Sequence, residues 1–575
     1  MVYERNFKLL NKNFKKLFFP TLMASIAGNF AIIVDAFFIS LFMGPIYLSV
    51  VQSMQPLLSF ENVIYWMMGI GGSILCTGAK TDFDDDKANA IFTISIVTTL
   101  IAILCLTLFC YVFPDFIIGS LSGSNLLKPL ISQYYYMVIP GFLFMSYMAC
   151  LSYFVKTDGF IKLQFNAFLI CNLLNMILDV VFMKFLNLGI SGAGLALTLG
   201  SVASAIYITI YFFNPQRSLK FIKVKFSQLT GYLAGICKAG FSISSIPLYI
   251  ALKFLFLNAL ISIYLAELGL SALNMCQNTL FLVEIFILGT SQALLPIVTV
   301  YYNEEDYNGV KYVVGKSLKI VLAFGIFFTL LFLIFPQTVL FIFNVTNPNY
   351  IPTVLNVIRI FSLSILGFSI NYMYLFYAQS VEFNKLANLI ILLEGFILPV
   401  ILAYVLSGLF GVNGFWISFA AAEILTLLFI FIYSKYVARK TEGEYSGFFL
   451  NRRYDDNERR FEFTIEGSKE DAINLSGEVK KFLSDSRFAY NVSSAIEDIV
   501  FYIIDANEKV DFIDIIIREK DDSIRISIKN SGISYNPKEN IDLDSGYISK
   551  LNEIADDIEF SQILGLNNTV ITIKN

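Results

Sequence analysis

The sequence predicts an all-α polytopic membrane protein of about twelve transmembrane helices in two six-helix repeats, followed by a soluble C-terminal α/β two-layer sandwich. Three observations predict it. Of the 575 residues, 56% are hydrophobic and only 15% charged, too little charge to cover a soluble chain of this size. The charge is also segregated: the stretch from Arg439 to the end holds 18 of the 41 Lys and Arg and 27 of the 45 Asp and Glu. Finally, the first 438 residues break into successive apolar runs, each near the roughly 20 residues that cross a hydrocarbon layer.

The apolar runs place spans at 18–43, 52–79, 89–113, 130–155, 163–185, 190–213, 236–262, 270–300, 315–336, 352–379, 386–407 and 412–436. This divides the chain into a first six-helix lobe (1–213), an inter-lobe loop (214–235), a second lobe (236–438), a charged linker (439–460) and the α/β domain (461–575). Lys80, Lys87, Lys156, Lys162, the stretch Arg217 to Lys225, Lys311, Lys316, Lys385 and Lys435 to Lys440 all fall on one predicted side. The positive-inside rule then places both termini in the cytoplasm and the bundle in the cell (inner) membrane. Arg5, Lys8, Lys12, Lys15 and Lys16 precede the first run without a small-residue cleavage pattern, so the first helix is expected to remain.

Composition also excludes chemistry. There is no histidine, which removes His-ligated metal and His-based proton transfer, and no cofactor is called for. The seven cysteines lie in apolar stretches without a CxxC pair and read as core or lipid-facing residues. The acidic tail argues against nucleic acid as a partner, leaving membrane lipid, a small substrate and a regulator protein at the tail.

The two halves carry matched features in matched order. Gly189-Ile-Ser-Gly192 opens the sixth span and Gly411-Val-Asn-Gly414 the twelfth. Gly69 and Gly71 sit in the second span and Gly289 in the eighth, and each span runs into an acidic loop, Asp82–Asp86 or Glu304–Asp306. Paired six-span halves are a transporter signature, because substrate sites form between halves that rock.

Intramembrane ionisable residues are the functional candidates. Asp35 lies in the first span, where a charged carboxylate costs on the order of 2.5–3.5 kcal/mol unless a proton, cation or partner neutralises it. Binding Na⁺ or H⁺ there would change which conformation is favoured. Asn175 and Asp179, spaced i, i+4, share one helix face and offer hard oxygen ligands, to which Thr198 adds a hydroxyl. Oxygen ligation suits Na⁺ and a carboxylate cluster equally holds a proton, so the residues do not choose between them. Glu61, Glu284, Glu394 and Glu423 also sit in apolar runs, with Lys253 and Arg359. Glu284 and Lys253 fall on neighbouring spans and are expected to pair. These residues stand equally for lining a cavity and for bracing the bundle. An acidic cavity would favour cationic or amphipathic substrates, and the 57 Phe and 31 Tyr could supply cation–π surface.

The first 438 residues resemble the multidrug and toxic compound extrusion (MATE) transporters. The resemblance is carried by Ile33-Val-Asp35-Ala-Phe, Gly69-Ile-Gly-Gly-Ser73, Lys156-Thr-Asp-Gly159, Asn175-Met-Ile-Leu-Asp179, Gly189 to Thr198, Gln292 to Pro296 and Gly411 to Trp416. It implies export of organic cations and drugs against a Na⁺ or H⁺ gradient, with Asp35, Asn175, Asp179 and Thr198 forming the cation site of the first lobe. The chain departs from the pattern at Glu394, where many relatives are basic, and at Lys253, on a span that carries a glutamate in one branch.

In the tail, strands are expected at 461–466, 511–518, 523–529, 557–563 and 568–574, and helices at 469–484, 491–506 and 546–555, with Ser468 and Ser493 as caps. The tail resembles the ATP-binding domains of anti-sigma-factor kinases through Ala495 to Tyr502, Ile526 to Gly532 and Asn568-Thr569-Val-Ile. That resemblance implies nucleotide-binding positions at Asp498, Tyr502, Asn530, Gly532 and Thr569. Tyr502 replaces the Mg²⁺-binding asparagine and Asn530 the adenine-binding aspartate, so a degenerate nucleotide-sensing or protein-binding module is expected rather than a working kinase. Two rival readings stay open: a flippase for lipid-linked or polysaccharide precursors, and a membrane-anchored signalling protein whose tail binds nucleotide or a regulator.

Overall fold

Inside a hydrocarbon layer every backbone N–H and C=O must be paired within its own segment, so apolar runs of this length fold as helices. The computed structural model describes residues 3–574 except 44–46, 48–49, 52–53, 122–127, 343–350, 456–457, 484–487, 508–509, 521–522 and 533–545. The first half comprises α1 (Lys8–Met43), α2 (Gln55–Thr81), α3 (Asp85–Val112), α4 (Pro114–Leu121), α5 (Lys128–Thr157), α6 (Ile161–Asp179) and α7 (Ile190–Ile208). The second comprises α8 (Phe226–Ser244), α9 (Ile246–Asn303), α10 (Tyr307–Ile334), α11 (Gln337–Ile342), α12 (Ile351–Ser380), α13 (Asn384–Leu392) and α14 (Leu398–Lys440). Among the described residues nine stretches are long and apolar enough to cross a membrane. Side chains such as Ile206, Phe213, Ile263 and Leu409 project outward at two-thirds exposure or more, as lipid-facing residues do.

The structure moves two boundaries. The expected seventh span, 236–262, is divided between α8 and α9, where Pro247 enters the first turn of α9. Residues 226–235 of the expected inter-lobe loop are helical, because Leu229, Tyr232 and Leu233 pack onto the first lobe.

The halves repeat the same backbone turns. Gly189 has φ 62° and ψ −146°, and Gly411 has φ 60° and ψ −143°. Asp84 and Asp306 both cap helices, accepting hydrogen bonds from Lys87 N and Gly309 N, and Phe83 and Glu305 before them share φ near +57°. The two glycines occupy a region closed to residues with a Cβ. Gly411→Ala is therefore expected to cost about 1–3 kcal/mol, read as a lowered thermal midpoint in detergent. Among the described residues, none beyond its own chain neighbours and helix backbone lies within 4 Å of a Cβ built at Gly411, so that cost is conformational rather than steric.

The lobes meet within the half of the bundle that faces the soluble domain. A Cβ on Gly71 would lie 2.3 Å from the Ile236 carbonyl, and one on Gly240 2.4 Å from that of Met67, so α2 and α8 approach backbone to backbone. Ser25 donates to the Ile285 carbonyl at 2.9 Å, and Lys156 Nζ to that of Gln292 at 2.8 Å.

Beyond α14, a short hairpin of β1 (Tyr445–Ser446) and β2 (Asn451–Arg452) docks on the second lobe, with Phe448 and Phe449 against Tyr374 and Tyr377. The expected linker is thus partly a packed element. The tail folds as β3 (Arg459–Glu466), α15 (Lys469–Phe482), α16 (Ala489–Asp505), β4 (Phe512–Lys520), β5 (Ser523–Asn530), α17 (Tyr547–Ile554), β6 (Asp557–Ile563) and β7 (Leu566–Lys574). Its antiparallel sheet has the order β3-β4-β5-β7-β6. Ser468 caps α15 as expected. Ser493 is no cap: α16 begins at Ala489, and the Ser493 hydroxyl lies inside it, 2.7 Å from that of Ser476.

Strand alternation gives the sheet two unlike faces. Phe463, Ile465, Ile513, Ile515, Ile517, Ile524, Ile526, Ile528, Ile571 and Ile573 form one apolar core with the helices. The opposite face carries Glu462, Asp514, Arg518, Lys529 and Asn568, and it lies on the membrane part. Residues 3–5 extend the sheet along β3, with Thr464 N donating to Tyr3 O and Arg5 N to Glu462 O.

Candidate functional site

The first lobe brings two of the four expected cation-site residues, Asn175 and Asp179, to one seam, whereas the Thr198 side chain faces α5. Asn175 and Asp179 occupy the last turn of α6, which then widens into a π-helical turn, Val180–Phe185. Such single π turns accompany functional sites. Helix α7 can lie close because Gly200 has no side chain: a Cβ there would stand 2.7 Å from the Cys171 carbonyl and 3.4 Å from Asn175 Cβ. Thr198, also on α7, donates to the Met137 carbonyl at 2.6 Å, which commits its proton and leaves its oxygen lone pairs. Asp179 is completely buried, and Asn175 and Thr198 are nearly so. Helix α1 packs along α6 and its π turn. It carries Asp35, whose side chain lies outside the described residues.

The cavity candidates fall into related positions in the two repeats. Glu61 on α2 accepts from Ser146 on α5 at 2.9 Å, and Glu284 on α9 accepts from Tyr372 on α12 at 3.0 Å. Each is a carboxylate held by a hydroxyl two spans on. Glu394 is buried on a π-helical turn, Leu393–Ile397, the counterpart of the turn after Asp179. Glu423 on α14 accepts from Asn371 Nδ2 at 2.7 Å. Lys253 lies within electrostatic reach of Glu423, Glu394 and Glu284. The expected Glu284–Lys253 pair does not form among the described residues. Tyr372 takes the Glu284 oxygen instead, and the Lys253 ammonium sits 5.5 Å from the Phe254 ring.

In the tail, Tyr502, Asn530 and Thr569 are fully buried and Asp498 nearly so. Tyr502 belongs to the apolar core of the domain. A Cβ on Gly532 would meet Asn507 Oδ1 at 2.2 Å, and the segment that follows, 533–545, lies outside the described residues. A core phenol where the resemblance calls for a metal-binding amide supplies no carbonyl oxygen to Mg²⁺, so these residues do not fit Mg-ATP.

Sequence reasoning missed the ionic cluster beneath the sheet. Arg5 bridges Asp306 at 2.7 Å and Glu462 at 3.0 Å, and approaches Asp514 at 3.5 Å. Lys529 pairs with Glu304, Arg518 with Glu305, and Arg460 approaches Asp306 at 3.6 Å. Burial alone would raise the Asp306 carboxyl, but Arg5, Lys529 and Arg460 overcome it and hold that group well below the usual carboxylate range. The available signal was the row of charges alternating with isoleucines along β4 and β5, which marks a sheet face too polar for a core and too ordered for open solvent.

Two halves that repeat the same turns and carry related carboxylates define the membrane part. The MatE family model matches residues 20–181 and 248–405, one stretch in each half. The chain belongs to the MatE family. The Multidrug export protein MepA of Staphylococcus haemolyticus is 22% identical over 422 residues, covering 72% of this chain and 91% of MepA. Among solved structures, the outward-facing conformation of a multidrug resistance MATE family transporter of the MOP superfamily aligns with TM-score 0.69 and 17% identity, over 75% of this chain and 96% of its own. A MOP superfamily transporter from Pyrococcus furiosus, described as having a binding pocket of reverse polarity, aligns with TM-score 0.69 and 16% identity over the same shares. These neighbours share the MATE fold. MATE family proteins are secondary transporters rather than enzymes, and the membrane part of this chain is a multi-pass MATE transporter. The matched stretches end at residue 405, before the tail.

Proposed function

We propose that this MATE protein is an antiporter that exports small organic cations or amphipathic drugs by alternating access, driven by Na⁺ or H⁺, with its termini in the cytoplasm and its tail as a regulatory two-layer α/β domain. The observation that carries the reading is the fully buried Asp179 beside Asn175, at the seam of α6 and α7 against the helix that bears Asp35. A buried carboxylate beside an amide at one intramembrane seam suits a small cation or a proton, and either removes the cost of the buried charge. Binding therefore has a different free energy in states that expose or close the seam, which is what couples an ion to a conformational change. The second lobe adds Glu284, Glu394 and Glu423 around a single Lys253, an acidic balance that suits a cationic substrate better than a lipid phosphate.

The test is ethidium transport by the full chain in proteoliposomes, with Na⁺ and pH gradients imposed separately. One of the two gradients is expected to raise the initial rate about tenfold or more over the gradient-free control. Equal rates with and without either gradient would end the antiport reading.

A further inference from the structure

Resting on the reading of this chain as an alternating-access transporter, we propose that the tail domain is a clasp holding the two lobes together at the end they share with it, and that it must lift before the bundle opens on that side. The sheet touches both lobes. On the second, the loop between α9 and α10 receives Lys529 and Arg518, and Asn568 Nδ2 donates to Glu304 at 2.8 Å. On the first, the turn between β6 and β7 seats against the end of α5. Leu564 N donates to the Thr157 carbonyl at 3.2 Å, and the Leu564 side chain is buried in the bundle core. The close seat depends on two glycines: a Cβ on Gly159 would lie 2.8 Å from Gly565 N.

The two anchors sit on neighbouring strands. Lys529 is on β5 and the first-lobe turn leads into β7, with Ser527 paired to Val570 between them. A hydrogen-bonded sheet does not stretch, so the anchors cannot separate while both remain docked. Yet the lobes must part here for the bundle to open on this side, since Lys156 to Gln292 and the contact of α2 with α8 lie in this half. Beneath the sheet, a polar cavity of about 320 Å³ runs from Asp82 and Phe83 of the first lobe to Asn303 and Glu304 of the second, roofed by Arg525 and Glu559.

The chemistry of the interface suits a reversible catch. Its centre is ionic and buried, with the Arg5, Asp306, Asp514 and Lys529 side chains at 2%, 1%, 0% and 4% exposure. Buried ion pairs give precise register but little net affinity, because their charges are well solvated once the surfaces part. An apolar interface of the same size would close for good, whereas this one can be released.

The test uses the full chain in lipid nanodiscs, with Cys105 and Cys237 replaced by serine and spin labels at Lys87→Cys and Lys385→Cys, one exposed site on each lobe. Arg518→Glu with Lys529→Glu should detach the tail, seen as faster proteolysis within 441–460. It should also raise the long-distance population between the labels about threefold or more. Adding Glu304→Lys and Glu305→Lys should restore the parent distribution. Lys529→Ala serves as a milder variant should the double reversal fail to fold. An unchanged distance distribution with the tail detached would overturn the proposal, as would a tail that stays docked with both charges reversed. A distance shift without ethidium movement in any variant would count against the antiport reading and leave the clasp standing.

Discussion

Asp179→Asn is expected to lower gradient-driven ethidium transport about 100-fold while leaving the protein inserted and folded. The side chain is fully buried, one turn from Asn175, beside which α7 packs closely at Gly200, so its carboxylate is out of contact with bulk solvent in this conformation. A carboxylate at such a site costs on the order of 2.5–3.5 kcal/mol, equivalent to roughly a hundredfold bias between states, and cation binding cancels it. Asparagine keeps the shape and removes the charge, hence both the cost and the ion's leverage. Gradient-free ethidium exchange should survive, because the substitution leaves the path itself intact. Asp35→Asn should give the same phenotype, and the double variant little more, since groups that act on one ion are not additive. Wild-type gradient-driven rates in Asp179→Asn would remove this seam from the coupling mechanism.

The legible features were those written in local chemistry. Two Gly-x-x-Gly openings, 222 residues apart, announced a repeat that the backbone angles of Gly189 and Gly411 match to within a few degrees. Asn175 and Asp179 fell together because i, i+4 spacing alone puts them on one face. Tertiary packing decided the rest. Leu229, Tyr232 and Leu233 carry helix into 226–235, which read as the end of a loop whose charges lie just upstream at Arg217 to Lys225, because the first lobe offers them an apolar surface. Ser493 looks like a cap, but Phe488 and Val492 enter the tail core and pull the helix start back to Ala489. Tyr372 reaches Glu284 from a span distant in sequence, which no local pattern foretells. Arg5 read as one more basic residue before the first span, yet it is the hub of a cluster drawn from three separate parts of the chain.

Asp306→Ala is expected to undock the tail while leaving both lobes folded. Asp306 bonds Arg5 through two hydrogen bonds, at 2.8 and 2.7 Å, and lies 3.8 Å from Lys529 and 3.6 Å from Arg460. Truncation leaves these cations buried against a missing partner, a loss of about 3–5 kcal/mol in comparable pairs. It also removes the cap that accepts from Gly309 N, worth about 1 kcal/mol. The cap loss falls on docked and undocked states alike, but only the docked state bears the ionic loss, because Arg5, Lys529 and Arg460 recover water when the sheet lifts. Tryptic cleavage at Arg452, Arg453, Arg459 or Arg460 should accelerate about 100-fold or more, the open fraction following the lost free energy. Asp306→Asn should fall between, keeping the cap oxygen and losing the charge. The pH dependence has a definite sign. A carboxyl held below its unfolded-state value near 3.9 contributes fully above that pH, and its contribution fades only as pH falls through the depressed folded value. Tryptic protection from this residue should therefore persist unchanged down to about pH 5. Equal cleavage of Asp306→Ala and wild type at neutral pH would show that the cluster is a bystander and that apolar contacts such as Leu564 hold the tail in place.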